Sequence, residues 1–323
     1  MQYRALGRTG IVVSEIGFGA WGIGGRTTGQ TSYGDTDDAT SLAALKRAFD
    51  RGITFFDTSS AYGNGHSEEL IGQAVVSSRQ SVVIATKAGY DSWDRPPDFS
   101  AAAIVASAES SLVRLRTDYI DLFQLHNAPL AVLRADDLRE ALSRLEKAGK
   151  IRAWGVSAKS PADAAEALAI AAPVIQVNFN MMDVRALGSG LFDEAGHRQA
   201  GLIARTPLCF GFLSGTIGRN TVFPPGDHRL GWSRAQLDNW ISGAGELLAA
   251  VSAAPGPAGV QSALRFCLSF PAVSSVIPGI LTPTEVDENA HASDLGPLSE
   301  AAVAAVLEIN RRRQFFVASA RAS

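Results

Sequence analysis

The chain has 323 residues, of which 46% are hydrophobic and 19% charged, and its formal net charge at pH 7 is -3. This small negative charge, with no cluster of lysine and arginine interleaved with aromatic residues, excludes a surface built for the nucleic-acid backbone. No stretch approaches the roughly 20 apolar residues that a membrane-spanning helix needs, and two cysteines, Cys209 and Cys267, are too few for a disulfide framework or a cysteine-based zinc site.

The N-terminal residues and the cysteines indicate the cellular compartment of the protein. Residues 1–7 lack the apolar core of a signal peptide, and few, widely separated cysteines are typical of a reducing compartment. The histidines also lack the spacing of metal ligands, His66 with Glu68 and Glu69 being the nearest thing to a cluster. We therefore expect a cytoplasmic protein without a metal, and the sequence leaves its oligomeric state open.

The chain opens with a predicted β-hairpin over residues 3–15, with its turn at Gly7-Arg8-Thr9-Gly10. Apolar runs then alternate with amphipathic stretches. The eight predicted strands cover residues 15–19, 53–57, 81–87, 119–125, 152–156, 173–178, 201–206 and 273–277. The eight predicted helices cover residues 38–51, 67–77, 100–116, 135–148, 161–171, 191–200, 256–269 and 283–291. Two additions are a long insertion at 209–255, with a helix near 233–252, and a further helix at 298–314.

The alternation of strands and helices predicts a parallel sheet covered by helices. Length alone allows either two average domains or one α/β barrel. Eight repeats without a change of composition near the middle favour a closed (β/α)8 TIM barrel over a doubly wound sheet. The sequence thus predicts an α/β fold with a single barrel domain over residues 1–323, an N-terminal β-hairpin, a long loop insertion on the active face and an extra C-terminal helix.

Polar side chains stand where several predicted strands end. Asp57, Lys87 and His126 each follow an apolar run, and Tyr62 lies in the loop just beyond Asp57. Because the carboxyl ends of parallel strands share one rim, we expect these four side chains to lie together. A tyrosine hydroxyl, whose pKa is normally ~10, donates a proton at neutral pH only where a cation stabilises the phenolate. Lys87 would be that cation, Asp57 would keep it charged, and His126 would donate a hydrogen bond to a reacting carbonyl oxygen.

Taken singly, three of these residues also have a structural interpretation. Asp57 before Thr-Ser-Ser fits a capping residue, Tyr62 before a glycine fits a loop aromatic, and His126 fits a core histidine. Lys87 differs, because the other four of the five lysines fall on predicted helices or loops. All four residues follow successive predicted strands. A proton-donating site explains this arrangement better than capping alone does.

The glycine-rich run 17–22 satisfies the pattern G-x-G-x-x-G after a strand. In a dinucleotide-binding fingerprint a helix follows at once and caps the pyrophosphate. Here more glycines follow, at residues 24, 25 and 29, and no helical pattern begins. We interpret the run as a loop of the active face.

The sequence resembles the aldo-keto reductase superfamily over essentially its whole length. The motifs that carry the resemblance are Tyr3-Arg4-x-Leu6-Gly7-Arg8-Thr9-Gly10, Phe56-Asp57-Thr58 with Tyr62-Gly63, Ala85-Thr86-Lys87, Leu122-Phe123-Gln124-Leu125-His126, Gly155-Val156-Ser157 and Ile277-Pro278-Gly279. The resemblance implies that Tyr62 is the general acid, supported by Asp57, Lys87 and His126. It also implies that NADP(H) or NAD(H) lies extended across the barrel mouth without a Rossmann domain.

The resemblance implies a set of cofactor contacts as well. They are Asp57, Ser157, Gln176, Arg205, Thr206, Pro207, Leu208, Leu213, Gly215, Gly279, Glu285 and Asn289. Ser157 and Gln176 would hold the carboxamide, and Arg205 would lie against the nicotinamide face. Gln176 also fits a satisfied strand end, and Pro207 and Leu213 fit packing residues.

Three positions depart from the family pattern. Ala158 stands where many members place an asparagine for the carboxamide, Leu281 where an arginine or lysine often contacts the 2′-phosphate of NADPH, and Glu285 where a glutamine is frequent. A carboxylate near the adenine ribose repels a 2′-phosphate and accepts hydrogen bonds from free ribose hydroxyls. We therefore expect NADH to bind at least as well as NADPH, unless Arg205 or another arginine reaches the phosphate.

The substrate is less constrained by the sequence. Trp21 and Trp93 fall in active-face loops and fit either stacking on a sugar ring or aromatic substrate or an anchoring role in the loops. The resemblance implies hydride transfer to or from an aldehyde, ketone or sugar carbonyl. Two alternatives stay open: a redox-sensing subunit resembling the potassium-channel β subunits of this superfamily, and a cofactor-dependent isomerase or dehydratase.

Overall fold

A closed barrel of eight parallel strands brings the polar strand ends together. The computed structural model describes residues 1–29, 31–252 and 256–317. The strands are β1 (Tyr3–Ala5), β2 (Val12–Ser14), β3 (Phe18–Gly19), β4 (Phe55–Asp57), β5 (Val83–Ala88), β6 (Ile120–His126), β7 (Ile151–Ser157), β8 (Val174–Asn178), β9 (Gly201–Arg205) and β10 (Val273–Ile277). The α-helices are α1 (Asp38–Asp50), α2 (His66–Val75), α3 (Ala101–Arg114), α4 (Leu130–Leu133), α5 (Asp136–Lys147), α6 (Pro161–Ala169), α7 (Arg185–Gly188), α8 (Leu191–His197), α9 (Arg234–Ala250), α10 (Pro257–Leu268), α11 (Pro283–Leu295) and α12 (Glu300–Arg312).

Strands β3 to β10 follow one another around the barrel in chain order, each parallel to the next. The barrel closes between its first and last strands. The backbone N–H of Gly17 donates to the carbonyl of Val276 at 2.9 Å, and the N–H of Val276 donates to Glu15 at 2.8 Å. Gly19 and Gly279 form a further parallel bridge at the carboxyl end of the seam. The predicted (β/α)8 barrel is confirmed.

The N-terminal hairpin covers the amino end of the barrel. β1 and β2 are antiparallel, with Tyr3 opposite Ser14. Leu6, Ile11 and Val13 are buried in one apolar cluster with inward-facing residues of the barrel strands. A second, larger cluster lies between the barrel and its helices. Because the hairpin occupies the amino end, the open end of the barrel is the one where the polar residues of the strand ends lie.

The first barrel strand is shorter than predicted. The sequence predicts a strand over residues 15–19, whereas β3 covers only Phe18–Gly19. Residues 15–17 instead form backbone bonds with the last strand at the seam. A side chain at Gly19 would approach the carbonyl oxygen of Pro278 to 2.6 Å, so the close seam requires glycine there.

The additions to the barrel follow the sequence pattern. α9 lies within the long insertion, and α12 is the extra C-terminal helix. Two helices were not predicted, α4 and α7, because one turn is too short to show a period of 3.6 residues. Within the described ranges, no helix combines the length and apolar character needed to cross a membrane.

Candidate active site

The carboxyl ends of the barrel strands surround a cavity of about 810 Å³. Asp57 ends β4, His126 ends β6 and Arg205 ends β9, and all three line the cavity together with Tyr62. Lys87 lies behind this surface, 1% exposed, in the fully buried strand β5. The four predicted catalytic side chains are therefore brought together at one end of the barrel.

Lys87 and Asp57 form a buried ion pair at the centre of the site. The ammonium of Lys87 donates to Asp57 Oδ1 at 2.5 Å, to the carbonyl of Thr58 at 2.7 Å and to the hydroxyl of Tyr62 at 3.3 Å. Burial lowers the pKa of Lys87, but the charges and hydrogen bonds of Asp57 and Tyr62 outweigh it, so the pKa is raised. The ammonium therefore stays charged although it is out of water.

Tyr62 is held in place by a tight turn. It begins a 3-10 turn (Tyr62–Gly65) in which Gly63 has φ +62. A Cβ at Gly63 would overlap the carbonyl oxygen of Gly24, in the glycine-rich loop after β3. That loop contains a 3-10 turn at residues 22–24, and the next α-helix begins only at Asp38. Its glycines therefore allow the loop to pack against the tyrosine turn.

His126 is 3% exposed and surrounded by aromatic rings. The ring centroids of Trp93, Tyr90 and Tyr62 lie 5.3, 5.7 and 6.0 Å from its imidazole. Burial lowers its pKa well below the ordinary value, and the charges of Lys87 and Arg205 lower it further. The imidazole is therefore neutral at physiological pH.

The hydroxyl of Ser59 is a hydrogen-bond partner of this imidazole. Ser59 Oγ lies 3.2 Å from His126 Nδ1 and accepts a hydrogen bond from the N–H of Ala61 at 3.2 Å. The hydroxyl proton of Ser59 is thus free to donate to Nδ1. In that arrangement the ring proton lies on Nε2, which becomes a hydrogen-bond donor.

Two buried amides hold the second oxygen of Asp57. Asp57 Oδ2 accepts from Gln176 Nε2 at 2.8 Å and from Gln124 Nε2 at 3.0 Å. Ser157 Oγ in turn donates to Gln176 Oε1 at 2.9 Å. Gln176 lines the cavity whereas Ser157 is fully buried behind it. Gln124 belongs to one of the family motifs but received no role from the sequence; the signal was a glutamine between the apolar residues Phe123 and Leu125.

The segment after β9 lines one side of the cavity. Thr206, Pro207 and Leu208 all belong to the lining, and the hydroxyl of Thr206 donates to Asn178 Oδ1 at 2.9 Å. Leu213 is fully buried and lies in the core. Gly215 does not line the cavity, although its neighbours Ser214 and Thr216 do. The structure therefore brings three of these five predicted residues to the cavity.

The segment after β10 lines the far end of the cavity, through Gly279, Glu285 and Asn289. The carboxylate of Glu285 accepts from the N–H groups of Leu281 at 2.7 Å and Thr282 at 3.0 Å. With the Thr282 hydroxyl accepting from the N–H of Glu285, this is a capping box at the start of α11. The pattern Thr-x-x-Glu signals such a cap in the sequence, so Glu285 has a structural role that the sequence analysis missed.

Aromatic side chains form the remaining walls. Trp21 lies 5.1 Å from the ring of Tyr33 and 4.7 Å from that of His228, whereas Trp93 contacts His126. Tyr33, Asn127, Asn178 and Arg229 also line the cavity and were not among the predicted site residues. They lie far apart in the chain, so no local pattern marks them. Among the described residues, no group of three or more His, Cys, Asp or Glu side chains is placed to hold a metal ion.

Comparison with known proteins identifies the family of this chain. A family model described as the aldo/keto reductase family matches residues 15–311. The aldo-keto reductase YhdN of Bacillus subtilis (strain 168) is 32% identical to this chain, over 89% of the chain and 87% of that protein. A probable voltage-gated potassium channel subunit beta of Oryza sativa subsp. japonica is 30% identical, over 92% and 93%. The holo form of aldo-keto reductase AKR11C1 from Bacillus halodurans shares the fold with a TM-score of 0.76 and 26% identity, over 96% of both chains. This chain therefore belongs to the aldo/keto reductase family and is an oxidoreductase.

Proposed function

We propose that this enzyme transfers a hydride between a nicotinamide cofactor and the carbonyl group of a small aldehyde, ketone or sugar, with Tyr62 as the general acid. The observation that carries the proposal is the buried contact of the Lys87 ammonium with both Asp57 and the Tyr62 hydroxyl. A phenol beside a charged ammonium gives up its proton more readily, because the ammonium stabilises the phenolate that remains. The nicotinamide, when bound, supplies the hydride.

Each side chain of the cluster has one task in this proposal. Tyr62 donates its hydroxyl proton to the carbonyl oxygen, and Lys87 stabilises the phenolate. Asp57 balances the charge of Lys87, and Gln124 and Gln176 hold the second oxygen of that carboxylate. His126, neutral and protonated on Nε2, donates a hydrogen bond to the same carbonyl oxygen and orients it. Asp57, Lys87 and His126 are all buried, which strengthens their interactions with one another.

The cavity suits an extended dinucleotide. Its volume of about 810 Å³ is ordinary for a ligand site. Near His126, the Oδ1 atom of Asn127 is buried without a hydrogen-bond partner, and the amide group of a nicotinamide would satisfy it. Asn127 would thus supply the contact that Ala158 lacks. We propose that the cofactor is held by Asp57, Gln176, Arg205, Thr206, Pro207, Leu208, Gly279, Glu285 and Asn289, with Ser157, Leu213 and Gly215 supporting them from behind.

The charges at the far end of the cavity support a preference for NADH. Glu285 and Glu288 both line it, and burial together with the charge of Glu285 raises the pKa of Glu288. Among the described residues, two cationic side chains line the cavity, Arg205 and Arg229. Arg229 is paired with Asp227 at 2.6 Å and also donates to the carbonyl of Phe210. Arg205 has no ion pair, but its charge interacts with Tyr62 and Asp57, beside the proposed general acid. We therefore expect Arg205 to act on the nicotinamide and not on a 2′-phosphate.

Fluorescence titration with both cofactors tests this preference. We expect the Kd of NADH to be equal to or lower than that of NADPH. Glu288→Gln should lower the Kd of NADPH severalfold and leave that of NADH nearly unchanged, because one repulsive charge is removed. Glu140→Gln, on the exposed face of α5, is the control and should change neither. A Kd of NADPH tenfold below that of NADH in the wild type contradicts the proposal.

Substitution of the proton donor tests the general acid. Tyr62→Phe and Lys87→Met should bind the cofactor with a Kd within about threefold of the wild type but lose turnover by at least about 10³, since general acid catalysis is worth roughly 10² to 10⁴. Tyr3→Phe, at the opposite end of the barrel, should keep full turnover. Substantial activity in either active-site variant would mean that another group donates the proton.

We propose that the substrate binds between Trp21 and Trp93. Both rings line the cavity, on loops that follow β3 and β5. Flat apolar walls of this kind suit the face of a sugar ring or an aromatic carbonyl compound. A substrate screen read at the nicotinamide absorbance, with Trp21→Ala and Trp93→Ala compared with the wild type, identifies which class is accepted.

A second candidate function is a redox-sensing subunit. It is favoured by the similarity to the potassium channel β subunit, which extends over 92% of this chain. Steady-state turnover with a panel of aldehydes and sugars distinguishes the two functions. Single turnovers with tightly retained cofactor favour the sensor, and sustained turnover with release of oxidised cofactor favours the enzyme.

A further inference from the structure

We propose that Arg205 makes this site bind the reduced nicotinamide more tightly than the oxidised form and thereby promotes release of the oxidised cofactor after carbonyl reduction. This inference rests on the proposed function, because it assumes that the nicotinamide lies beside Tyr62. It goes further by naming the redox form of the cofactor that the site prefers and the residue that sets this preference.

The position of Arg205 implies that its charge interacts with a nicotinamide bound beside Tyr62. It ends β9 and lines the same cavity as Tyr62 and Asp57, and its charge interacts with both. The hydride acceptor is the carbon of the carbonyl group whose oxygen Tyr62 protonates. The nicotinamide ring must therefore lie within a few ångströms of the Tyr62 hydroxyl, and so within the field of Arg205.

The guanidinium of Arg205 has few partners. It donates to the carbonyl of Ala158 at 2.8 Å, while its Nε atom is buried without a hydrogen-bond partner. Among the described residues it forms no ion pair within 4.0 Å. Burial lowers the pKa of Arg205, but an arginine stays charged at any physiological pH.

The other charges around the ring position are already paired. Lys87 and Asp57 balance each other at 2.5 Å. Asp183, which also interacts with Arg205, is held by both branches of Arg185, at 2.7 and 2.6 Å. Arg205 is thus the one uncompensated charge that the described residues place near Tyr62.

This unbalanced charge distinguishes the two redox forms of a nicotinamide. The oxidised ring carries one positive charge, and the reduced ring carries none. A fixed cation nearby repels the oxidised ring and leaves the reduced ring unaffected to first order. The reduced form should therefore bind more tightly, and the oxidised form left by carbonyl reduction should dissociate sooner. By linkage, the two-electron reduction potential of the bound cofactor rises by about 30 mV for each tenfold ratio of the two dissociation constants.

Separate binding measurements with the two redox forms test the proposal without relying on activity. For the wild type, we expect the Kd of the oxidised cofactor to be at least tenfold above that of the reduced one. Arg205→Gln removes the charge and keeps polar contacts, and should lower this ratio about tenfold, a change of about 30 mV in the bound potential. Arg205→Lys, the matched control, keeps the charge and should preserve the ratio within about threefold.

The outcomes separate a redox role from a bracing role. If Arg205 only joins the ends of β7 and β9 through Ala158, Arg205→Gln weakens both forms equally and the ratio stays at the wild-type value, which overturns the proposal. If Arg205→Gln does not fold, the wild-type ratio decides: a ratio near one refutes the proposal, and a ratio of ten or more with the same ratio in Arg205→Lys supports it. A wild type that binds neither form refutes the proposed function itself.

Discussion

Lys87 shows how much chemistry a single buried residue contributes to this site. Its three N–H donors all have partners, on Asp57, Thr58 and Tyr62. A lysine at the end of an apolar strand was visible in the sequence as an anomaly, and so were Asp57 and His126. The role of Gln124 was not visible, because the sequence does not show that its buried amide donates to the second oxygen of Asp57, 67 residues earlier.

The neutral state of His126 predicts a pH dependence of stability. Its pKa is lowered in the folded protein, by burial first and by Lys87 and Arg205 next. In the unfolded chain a histidine takes up a proton near pH 6.5, before the folded protein does. The neutral imidazole of His126 therefore contributes its full stabilisation above about pH 6.5. As the pH falls from there toward the pKa of His126 in the folded protein, the free energy of unfolding decreases by at most about 1.4 kcal/mol per pH unit.

Urea unfolding of the wild type and His126→Gln between pH 5 and pH 8 measures this contribution. The difference in free energy of unfolding between the two should shrink or reverse in favour of the variant as the pH falls. His197→Gln replaces an exposed histidine at the end of α8 and is the control for the same substitution outside the site. A difference for His126→Gln that is constant across this range would mean that the imidazole titrates normally in the folded protein.

At the scale of single elements, the turn Tyr62–Gly65 determines where the proposed acid lies. Its glycine Gly63 combines a left-handed φ with close approach to Gly24. The sequence showed Tyr62 followed by glycines but not the loop that packs against them. The same holds for Glu285, whose carboxylate caps α11 as well as lining the cavity.

Replacement of Gly63 by alanine should reduce both stability and turnover. The new Cβ meets the Gly24 carbonyl, so the turn must move and carry Tyr62 with it; a shift of about 1 Å costs roughly 10² in rate. Gly10→Ala is the matched control: φ there is +74, but a Cβ would have no heavy atom within 4 Å. It should cost about 1 kcal/mol in unfolding free energy for the left-handed backbone and leave turnover unchanged.

Denaturation and steady-state assays on the two variants separate backbone strain from the clash. We expect Gly63→Ala to lose more stability than Gly10→Ala and about a hundredfold in turnover. Equal stability losses with normal turnover in both would show that the loop after β3 yields without moving Tyr62.

At the scale of the whole molecule, the barrel explains why residues far apart in the chain share one cavity. Each βα unit places one strand end on the same rim, so Asp57 and Arg205 line the same cavity although 148 residues separate them. That residues 1–323 form one domain stays a prediction. The hairpin at the amino end and the closed seam leave the carboxyl end as the open side of the barrel.

The sequence by itself determined the α/β class, the eightfold alternation, the family and the strand-end residues of the proposed chemistry. These follow from local hydrophobic periodicity and from short motifs, which are properties of neighbouring residues. Only the tertiary structure decided that Gln124 and Gln176 hold Asp57, that Asn127 and Tyr33 line the cavity, and that Arg205 lacks a counter-charge. The reason is physical: burial, hydrogen-bond partners and charge balance depend on which residues the closed barrel brings into contact across long stretches of chain.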